Sequence, residues 1–264
     1  MNKKLTPNDI LEMMKDKISL NGDVDFCEAY MYDLLINPLH DAVGFPAFRH
    51  DHGVSKLVLI FDSLDFVIKI PFKGDTCGDY EYETRKLDSN DQTVRDSNGY
   101  TCYTYRNEYP TYNGQFTCAN NFFEENSEWD YCETESRVYN ASIDYNIDTC
   151  FAKTWCIGNI DGYPVYAQEK AVMFTSYEAS NTIRSHKSTK EMSELRQKLW
   201  DSKEYQTELP CLEWCLDFIN FYGEEKLKTL SGFLSEHNLH DFHDGNIGYI
   251  GMRPVLVDYS SWDA

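Results

Sequence analysis

Apolar residues near the start of the chain recur at helical spacing. The positions that form this stripe are Ile10, Leu11, Met14 and Ile18. With Thr6-Pro7 as a start signal, they predict an amphipathic helix over residues 5–20. A second helix is predicted over residues 26–36, ending before Pro38. Neither helix carries an obvious chemical group, so residues 1–39 are interpreted as a helical N-terminal extension.

Two later apolar runs have the length and alternation of β-strands. Residues 55–61 and 65–71 are separated by a short turn, which predicts a hairpin. Within the second run, Lys69 lies between two isoleucines, so strand alternation places its side chain on the opposite face of the sheet. In isolation, such a lysine is also explained by a position on the solvent face of a half-buried strand.

A helix is predicted over residues 128–143, with Ser127 as its N-cap. Glu135 has apolar residues three and four positions further on, so it shares the helix face that would contact the sheet. Glu133 has a serine and an arginine at the same offsets and is expected to face solvent. Glu135 is therefore the better predicted partner for Lys69.

The second half of the chain predicts another hairpin and then helices. Asp161-Gly162 is a type I′ turn signal between strands predicted over residues 151–160 and 163–171. The helical patterns that follow cover residues 191–200, 212–222 and 224–237. Residues 73–127 are interpreted as an insertion rich in Asp, Asn, Tyr and Gly, with an alternating strand at 100–105.

Charge and composition narrow the classes of partner. The 264 residues carry 44 acidic and 24 basic side chains, a formal net charge of −20. This argues against nucleic acid as a direct ligand, because phosphate contacts need clustered lysine and arginine. There is no apolar run long enough to predict a membrane span and no apolar stretch typical of a signal peptide. The nine cysteines include no Cys-x-x-Cys pair, so free thiols in a reducing cytoplasm are expected instead of a zinc site.

The stretch with the most chemistry lies near the C-terminus. Asp241 is followed two residues later by His243 and five residues later by Asn246, and a predicted short hairpin then leads to Asp258. This is the layout of a phosphoryl-transfer site, in which one carboxylate lies beside the attacking hydroxyl while an amide and a second carboxylate hold magnesium. On its own, the loop is equally typical of a solvated turn, since Asp244-Gly245 is a turn signal.

At this point the chain resembles the protein-kinase-like superfamily. The Asp-hydrophobic-His-x-x-Asn form is similar to that of its aminoglycoside-phosphotransferase-like branch and of small kinase-like proteins of bacteria and phages. The resemblance implies an α+β, two-lobed protein-kinase-like fold. An antiparallel β-sheet N-lobe would cover residues 40–171, with the insertion 73–127, and a reduced helical C-lobe with the catalytic-loop-like segment would cover residues 172–264.

The same resemblance implies which residues hold ATP. Lys69, fixed by Glu135, would contact the α- and β-phosphates. Glu169 and Ala171 fall on the hinge between the lobes, where backbone groups would hold the adenine. The side chains in the hinge carry little information, because any residue type can supply backbone groups.

For the transfer step and for Mg²⁺, the resemblance implies four further residues. Asp241 would orient or deprotonate the acceptor hydroxyl. His243 would brace the loop or touch a phosphate, although a loop hydrogen bond explains it equally well. Asn246 and Asp258 would bind magnesium.

The chain also departs from the protein-kinase pattern. The region before the first hairpin has only Gly44 and Gly53 in place of a glycine-rich loop, Tyr259-Ser260 replaces Phe-Gly, and six residues follow Asp258. The first hypothesis is an ATP- and Mg²⁺-dependent phosphotransferase with an unknown acceptor. The alternative is a weakly active or inactive kinase-like binding protein, such as a phage-encoded modulator of a host protein in the host cytoplasm. Nucleotidyl transfer uses the same groups and stays open.

Overall fold

The computed structural model describes residues 4–21, 26–53, 55–73, 82–85, 103–106, 130–183, 189–201, 211–240 and 242–260. This part of the chain has a mixed α+β fold built on a five-stranded antiparallel sheet with several helices. None of its helices has both the length and the apolar character needed to cross a membrane.

The strands and helices of these ranges follow in chain order. The strands are β1 (Phe48–His52), β2 (Lys56–Phe61), β3 (Phe66–Pro71), β4 (Tyr82–Arg85), β5 (Tyr103–Arg106), β6 (Thr154–Ile160), β7 (Tyr163–Glu169), β8 (Val172–Met173), β9 (Ile247–Ile250) and β10 (Arg253–Leu256). The α-helices are α1 (Pro7–Lys15), α2 (Asn37–Asp41), α3 (Tyr131–Asp144), α4 (Thr189–Asp201), α5 (Leu212–Tyr222) and α6 (Glu224–Glu236). Short 3₁₀ and π turns cover Glu28–Tyr30, Tyr32–Ile36, Asp148–Cys150 and Ala179–Ile183.

The large sheet has the strand order β1-β2-β3-β7-β6, with every pair antiparallel. Both predicted hairpins of this sheet are confirmed. At the β6–β7 turn, Asp161 and Gly162 have φ values of 52° and 92°, which is the left-handed backbone that a type I′ turn requires. In chain order, α3 lies between β3 and β6, so it joins the two hairpins of the sheet.

The two faces of the large sheet differ in chemistry. Leu57, Leu59 and Ile68 are fully buried in a core that also contains residues of α1 and of the turns after residue 26. Strand alternation sends Lys56 and Lys69 to the other face, which is therefore polar although both lysines are buried. The sheet is thus apolar towards the N-terminal helices and charged towards α3.

Helix α1 packs tightly on the outer strand of this sheet. It begins with a capping box between Thr6 and Asp9, the arrangement that satisfies free amides at a helix start. A Cβ at Gly158 of β6 would lie 2.7 Å from the side chain of Leu11, and Gly158 has φ 140°. Glycine at this position is what lets the helix approach the strand so closely.

A second core forms around helices α4 to α6 and the three-stranded sheet β10-β9-β8. Trp214 of α5 is fully buried, and its indole donates to the carbonyl of Gly248 in β9 over 3.4 Å. A Cβ at Gly248 would lie 2.7 Å from the carbonyl oxygen of Val172. The hairpin β9–β10, which leads to Asp258, is therefore fixed between α5 and β8.

The second helix and the start of α3 differ from their predictions, and the insertion lies partly outside the described residues. The second helix was expected to end before Pro38, but the π turn Tyr32–Ile36 leads directly into α2, which contains Pro38, so the helical backbone continues through the proline. The predicted N-cap Ser127 is wrong: α3 begins later, and the Asp130 side chain accepts from the amide of Glu133 over 2.9 Å. Within the insertion 73–127, the structure describes Lys73 and the strands β4 and β5, which pair antiparallel; the rest of the insertion lies outside the described residues.

Candidate functional site: a buried lysine–carboxylate cluster

Two lysines and one glutamate meet on the polar face of the large sheet. The Lys69 ammonium lies 2.9 Å from Oε1 and 2.8 Å from Oε2 of Glu135. The Lys56 ammonium lies 2.8 Å from Oε1 of the same carboxylate. The side chains of Lys56, Lys69 and Glu135 are only 5%, 3% and 0% exposed. The contact between Lys69 and Glu135 expected from the sequence is therefore present, with a second lysine beside it.

The register of the β2–β3 hairpin explains why both lysines reach the same carboxylate. Val58 pairs with Lys69, and Lys56 pairs with Pro71 two residues away. Lys56 and Lys69 therefore project from one face of adjacent strands. Helix α3 packs across that face, and Glu135 lies on its buried side.

Glu135 also accepts hydrogen bonds from two neutral side chains. The Thr154 hydroxyl donates to Oε2 over 3.0 Å, and the Gln168 amide donates to the same oxygen over 3.2 Å. A buried charge is tolerated when ion pairs and hydrogen bonds satisfy its lone pairs. Side chains from four strands, β2, β3, β6 and β7, therefore donate hydrogen bonds to this carboxylate.

Asp258 joins the cluster from the opposite end of the sequence. Its Oδ1 lies 2.7 Å from the Lys56 ammonium and 3.2 Å from the Ser260 hydroxyl, which donates to it. Burial alone would raise the pKa of Asp258, but the ammonium groups of Lys56 and Lys69 outweigh it and hold that pKa below its ordinary value. The side chain of Asp258 is nevertheless 38% exposed, so the carboxylate borders solvent on one side.

The charge state of Lys56 follows from the same contacts. Burial lowers the pKa of its ammonium, but the carboxylates of Asp258 and Glu135 raise it more and keep it above the ordinary value. Lys56 is therefore charged at neutral pH. We call the four residues Lys56, Lys69, Glu135 and Asp258 the lysine–carboxylate cluster.

Tyr259 anchors the segment that carries Asp258. Its ring is fully buried against Phe151, with the ring centroids 4.9 Å apart. Its hydroxyl donates to the carbonyl of Ala152 over 2.7 Å. The preceding carbonyl, that of Val257, accepts from the Gln168 amide over 2.8 Å. These contacts on both sides fix the backbone of Asp258 against the sheet.

The two predicted magnesium ligands are neighbours through their backbones. The carbonyl of Asn246 accepts from the amides of Val257 and Asp258, at 2.9 and 3.5 Å. The hairpin β9–β10 thus returns Asp258 to the end of the loop, as the sequence predicted. The role of Asn246 and Asp258 as metal ligands stays a prediction.

The turn before β9 has hydrogen bonds between its own residues. The amide of Gly245 donates to Nδ1 of His243 over 3.0 Å, and the amide of Asn246 donates to the carbonyl of His243 over 2.9 Å. His243 is exposed and braces this turn. Its contact with a phosphate stays a prediction, and the predicted catalytic Asp241 lies outside the described residues.

The predicted hinge residues lie where the large sheet passes into the three-stranded sheet. Glu169 ends β7, and its amide donates to the carbonyl of Lys153 over 3.0 Å. Its carboxylate accepts from the Arg253 guanidinium over 3.1 Å. Ala171 follows, directly before β8 and against Gly248. The adenine-binding role of Glu169 and Ala171 stays a prediction.

The lysine–carboxylate cluster combines two ammonium groups with two carboxylates, so the ammonium of Lys56 affects how Asp258 could hold Mg²⁺. Among the described residues there is no group of three or more His, Cys, Asp or Glu side chains arranged to hold a metal. Asp258 Oδ1 is already bound by the Lys56 ammonium. A divalent cation about 4 Å from that ammonium would be repelled by roughly 8 kcal/mol at an effective dielectric constant of 20, and this repulsion opposes its attraction to the carboxylate. A metal on Asp258 would therefore have to share the carboxylate with Lys56 or displace the ammonium.

Lys56 is the residue of this site that the sequence reasoning missed. It begins an apolar run and follows a serine, a pattern that is typical of the solvent-exposed end of a strand. The predicted three-residue turn would have set Leu57 opposite Lys69, whereas the structure pairs Val58 with Lys69. This difference of one residue moves Lys56 to the face that carries Lys69, so the turn alone could not place the two lysines together.

Comparisons of the chain with protein-family models, with curated proteins and with solved structures gave no match.

Proposed function

We propose that this chain is a kinase-like phosphotransferase that binds the phosphates of ATP beside the lysine–carboxylate cluster. The observation that carries the proposal is the buried pairing of Lys69 with both oxygens of Glu135, next to the backbone that bears Asp258. A lysine ammonium held in place by a carboxylate, beside a second carboxylate, is the arrangement that positions nucleotide phosphates in kinase-like enzymes.

The order of elements along the chain supports the proposal. A strand hairpin with the lysine, a helix with the glutamate, a second hairpin, a junction, helices and a short hairpin with Asp258 follow one another. This is the order that the resemblance to kinase-like proteins implies. The two separate cores, one under the large sheet and one around α4 to α6, agree with an N-lobe and a helical C-lobe.

The proposed reaction transfers the γ-phosphoryl group of ATP to an acceptor hydroxyl. The acceptor oxygen forms a bond to the γ-phosphorus, the bond to the β-γ bridging oxygen breaks, and ADP leaves. Asp241 orients the acceptor and takes its proton, while Lys69 holds the α- and β-phosphates and Glu135 keeps that ammonium in position. The turn braced by His243 fixes the loop that follows Asp241.

A second candidate is a kinase-like protein that binds a nucleotide or a host protein without transferring phosphate. The contact of Lys56 with Asp258 favours it, because the ammonium binds one oxygen of the carboxylate that would hold a catalytic metal. The acceptor-dependent reaction separates the candidates, since only the phosphotransferase releases ADP.

The test combines ATP binding with γ-phosphoryl transfer. ATP is expected to raise the melting temperature of the chain, and incubation with γ-labelled ATP and candidate hydroxyl acceptors, or with the chain alone, is expected to give labelled product and ADP. Lys69→Met should abolish both, because it removes the ammonium that holds the phosphates. Lys153→Met, which removes an exposed lysine beside β6, is the matched control and should change neither. A melting shift without ADP formation supports the second candidate, and the absence of any shift with ATP contradicts nucleotide binding.

A further inference from the structure

We propose that the Lys56 ammonium takes the position on Asp258 that a divalent metal would take, so that this chain binds nucleotide phosphates without a metal ion. The inference rests on the proposed nucleotide binding and adds that the cation is part of the chain.

The coordination of Lys56 supports this role. An ammonium has three N–H donors, and three oxygens surround Lys56 Nζ. They belong to Asp258 at 2.7 Å, Glu135 at 2.8 Å and Ser260 at 3.3 Å. The group is thus held by three side chains from α3 and from the C-terminal segment, at the point where the carboxylate of Asp258 needs a counter-charge.

The charge count of the cluster leads to the same conclusion. Lys69, Glu135 and Asp258 together carry one net negative charge, and a site of that composition needs an added cation before it accepts a polyphosphate. Lys56 brings the sum to zero, with both ammonium groups on the same face of the sheet. An internal ammonium therefore supplies charge that a kinase-like site otherwise takes from solution.

The exposed side of the cluster indicates where a phosphate would approach it. Asp258 is the only member of the cluster with a substantially exposed side chain, at 38%, so solvent reaches the cluster beside Lys56. The contact of Lys56 with the Ser260 hydroxyl is the longest of its three, and it is neutral. A phosphate oxygen replaces this contact at the lowest cost, while the bonds to Asp258 and Glu135 remain.

The experiment compares ATP binding in excess EDTA and in excess MgCl₂, by calorimetry and by melting shift. For the wild-type chain, the Kd for ATP is expected to differ by less than about threefold between the two conditions. For Lys56→Met, binding in EDTA should weaken by about tenfold or more, and MgCl₂ should restore it. Binding of Mn²⁺ alone, followed by electron paramagnetic resonance, should be absent in the wild-type chain and appear in Lys56→Met.

Wild-type binding that requires MgCl₂, or wild-type Mn²⁺ binding that Asp258→Asn abolishes, overturns the inference and leaves the proposed nucleotide binding standing. ATP binding in neither condition overturns both. Lys56→Met leaves Asp258 without its counter-charge, so Lys56→Met/Asp258→Asn, which removes both charges, is the second variant. It should lose ATP binding in EDTA and gain no Mn²⁺ site; ATP binding in EDTA at the wild-type level would contradict the role of Lys56.

Discussion

The two halves of the candidate site are held in different ways. On the sheet, Glu135 is bonded to lysines 66 and 79 residues away, and all three side chains are buried. On the loop, the exposed His243 ring is bonded to an amide only two residues away. The contacts of the sheet half therefore form only when the tertiary fold forms. The hydrogen bond of the His243 ring in the loop half, by contrast, joins residues that are close together in the sequence. Substitutions should accordingly affect stability strongly in the first half and weakly in the second.

The strongest test of this contrast is Glu135→Gln. The change keeps the shape of the side chain but leaves two buried ammonium groups without their shared carboxylate. Breaking one partner of a buried ion pair costs about 3–5 kcal/mol, so a loss of that size in the free energy of unfolding is expected. Denaturant unfolding followed by circular dichroism measures it.

The matched control for this substitution lies on the same helix. Glu133 is 33% exposed on its side chain and pairs with Arg137 one turn later, at 2.6 Å. Exposed i,i+4 pairs contribute about 0.3–0.5 kcal/mol, so Glu133→Gln should cost no more than that. Equal losses for the two variants would show that burial of the cluster does not govern the stability of this region.

Local patterns predicted the part of the site that each segment specifies by itself. Lys69 follows from strand alternation, Glu135 from the apolar residues one turn further along the helix, and the return of Asp258 from the short hairpin. The predicted contact of Lys69 with Glu135 needed only that the helix cross the strand. In each case, the periodicity of apolar residues within one segment indicates which face of that segment is buried.

Long-range complementarity determined what the sequence reasoning missed. Lys56 has a polar neighbour and an ordinary strand context, and its burial depends on Asp258, 202 residues away. Asp130 caps α3 through the amide of Glu133, and its second oxygen also accepts from the Tyr166 hydroxyl, at 2.6 Å. The contacts of Lys56 with Asp258 and of Asp130 with Tyr166 leave no periodic signal in the sequence, since each joins segments that meet only in the folded chain.

The next largest effect concerns pH and Asp130. Burial raises the pKa of this carboxyl to about 6, although the Tyr166 hydroxyl and the amide of Glu133 lower it. Between about pH 4 and pH 6 the folded chain therefore binds a proton that the unfolded chain has released, so this group makes stability fall as pH rises through that window. The contribution is on the order of 2–3 kcal/mol.

Asp130→Asn tests this contribution, because asparagine also serves as an N-cap but does not titrate. The free energy of unfolding of the wild-type chain minus that of the variant should be larger at pH 4 than at pH 7.5. Urea unfolding at both pH values measures the difference, and the remaining titrating groups cancel in the subtraction. A difference that is independent of pH would contradict the raised pKa.

A smaller effect is expected for Tyr259→Phe. The change leaves the buried ring in place but removes the hydroxyl that donates to the carbonyl of Ala152. An unsatisfied buried acceptor costs about 1–3 kcal/mol, and the backbone of Asp258 should become more mobile. Thermal unfolding measures the first effect, and hydrogen exchange at the amide of Asp258 measures the second. Tyr177→Phe, at a residue 86% exposed, is the control and should change neither.

The smallest effect is expected in the loop half, for His243→Ala. The ring is exposed, and it accepts a hydrogen bond from the Gly245 amide within its own turn. Substitutions at exposed positions usually change the free energy of unfolding by less than about 0.5 kcal/mol, and a change of that size is expected here. A Cβ at Gly245 would lie 2.7 Å from the His243 ring. Gly245→Ala should therefore be costly with His243 present and close to neutral in the His243→Ala background, a coupling that a double-mutant cycle measures.

This cycle separates the two roles predicted for His243. If the histidine only braces the turn, phosphoryl transfer follows the integrity of the turn and survives in the double variant; if it touches a phosphate, transfer is lost with His243 at unchanged stability.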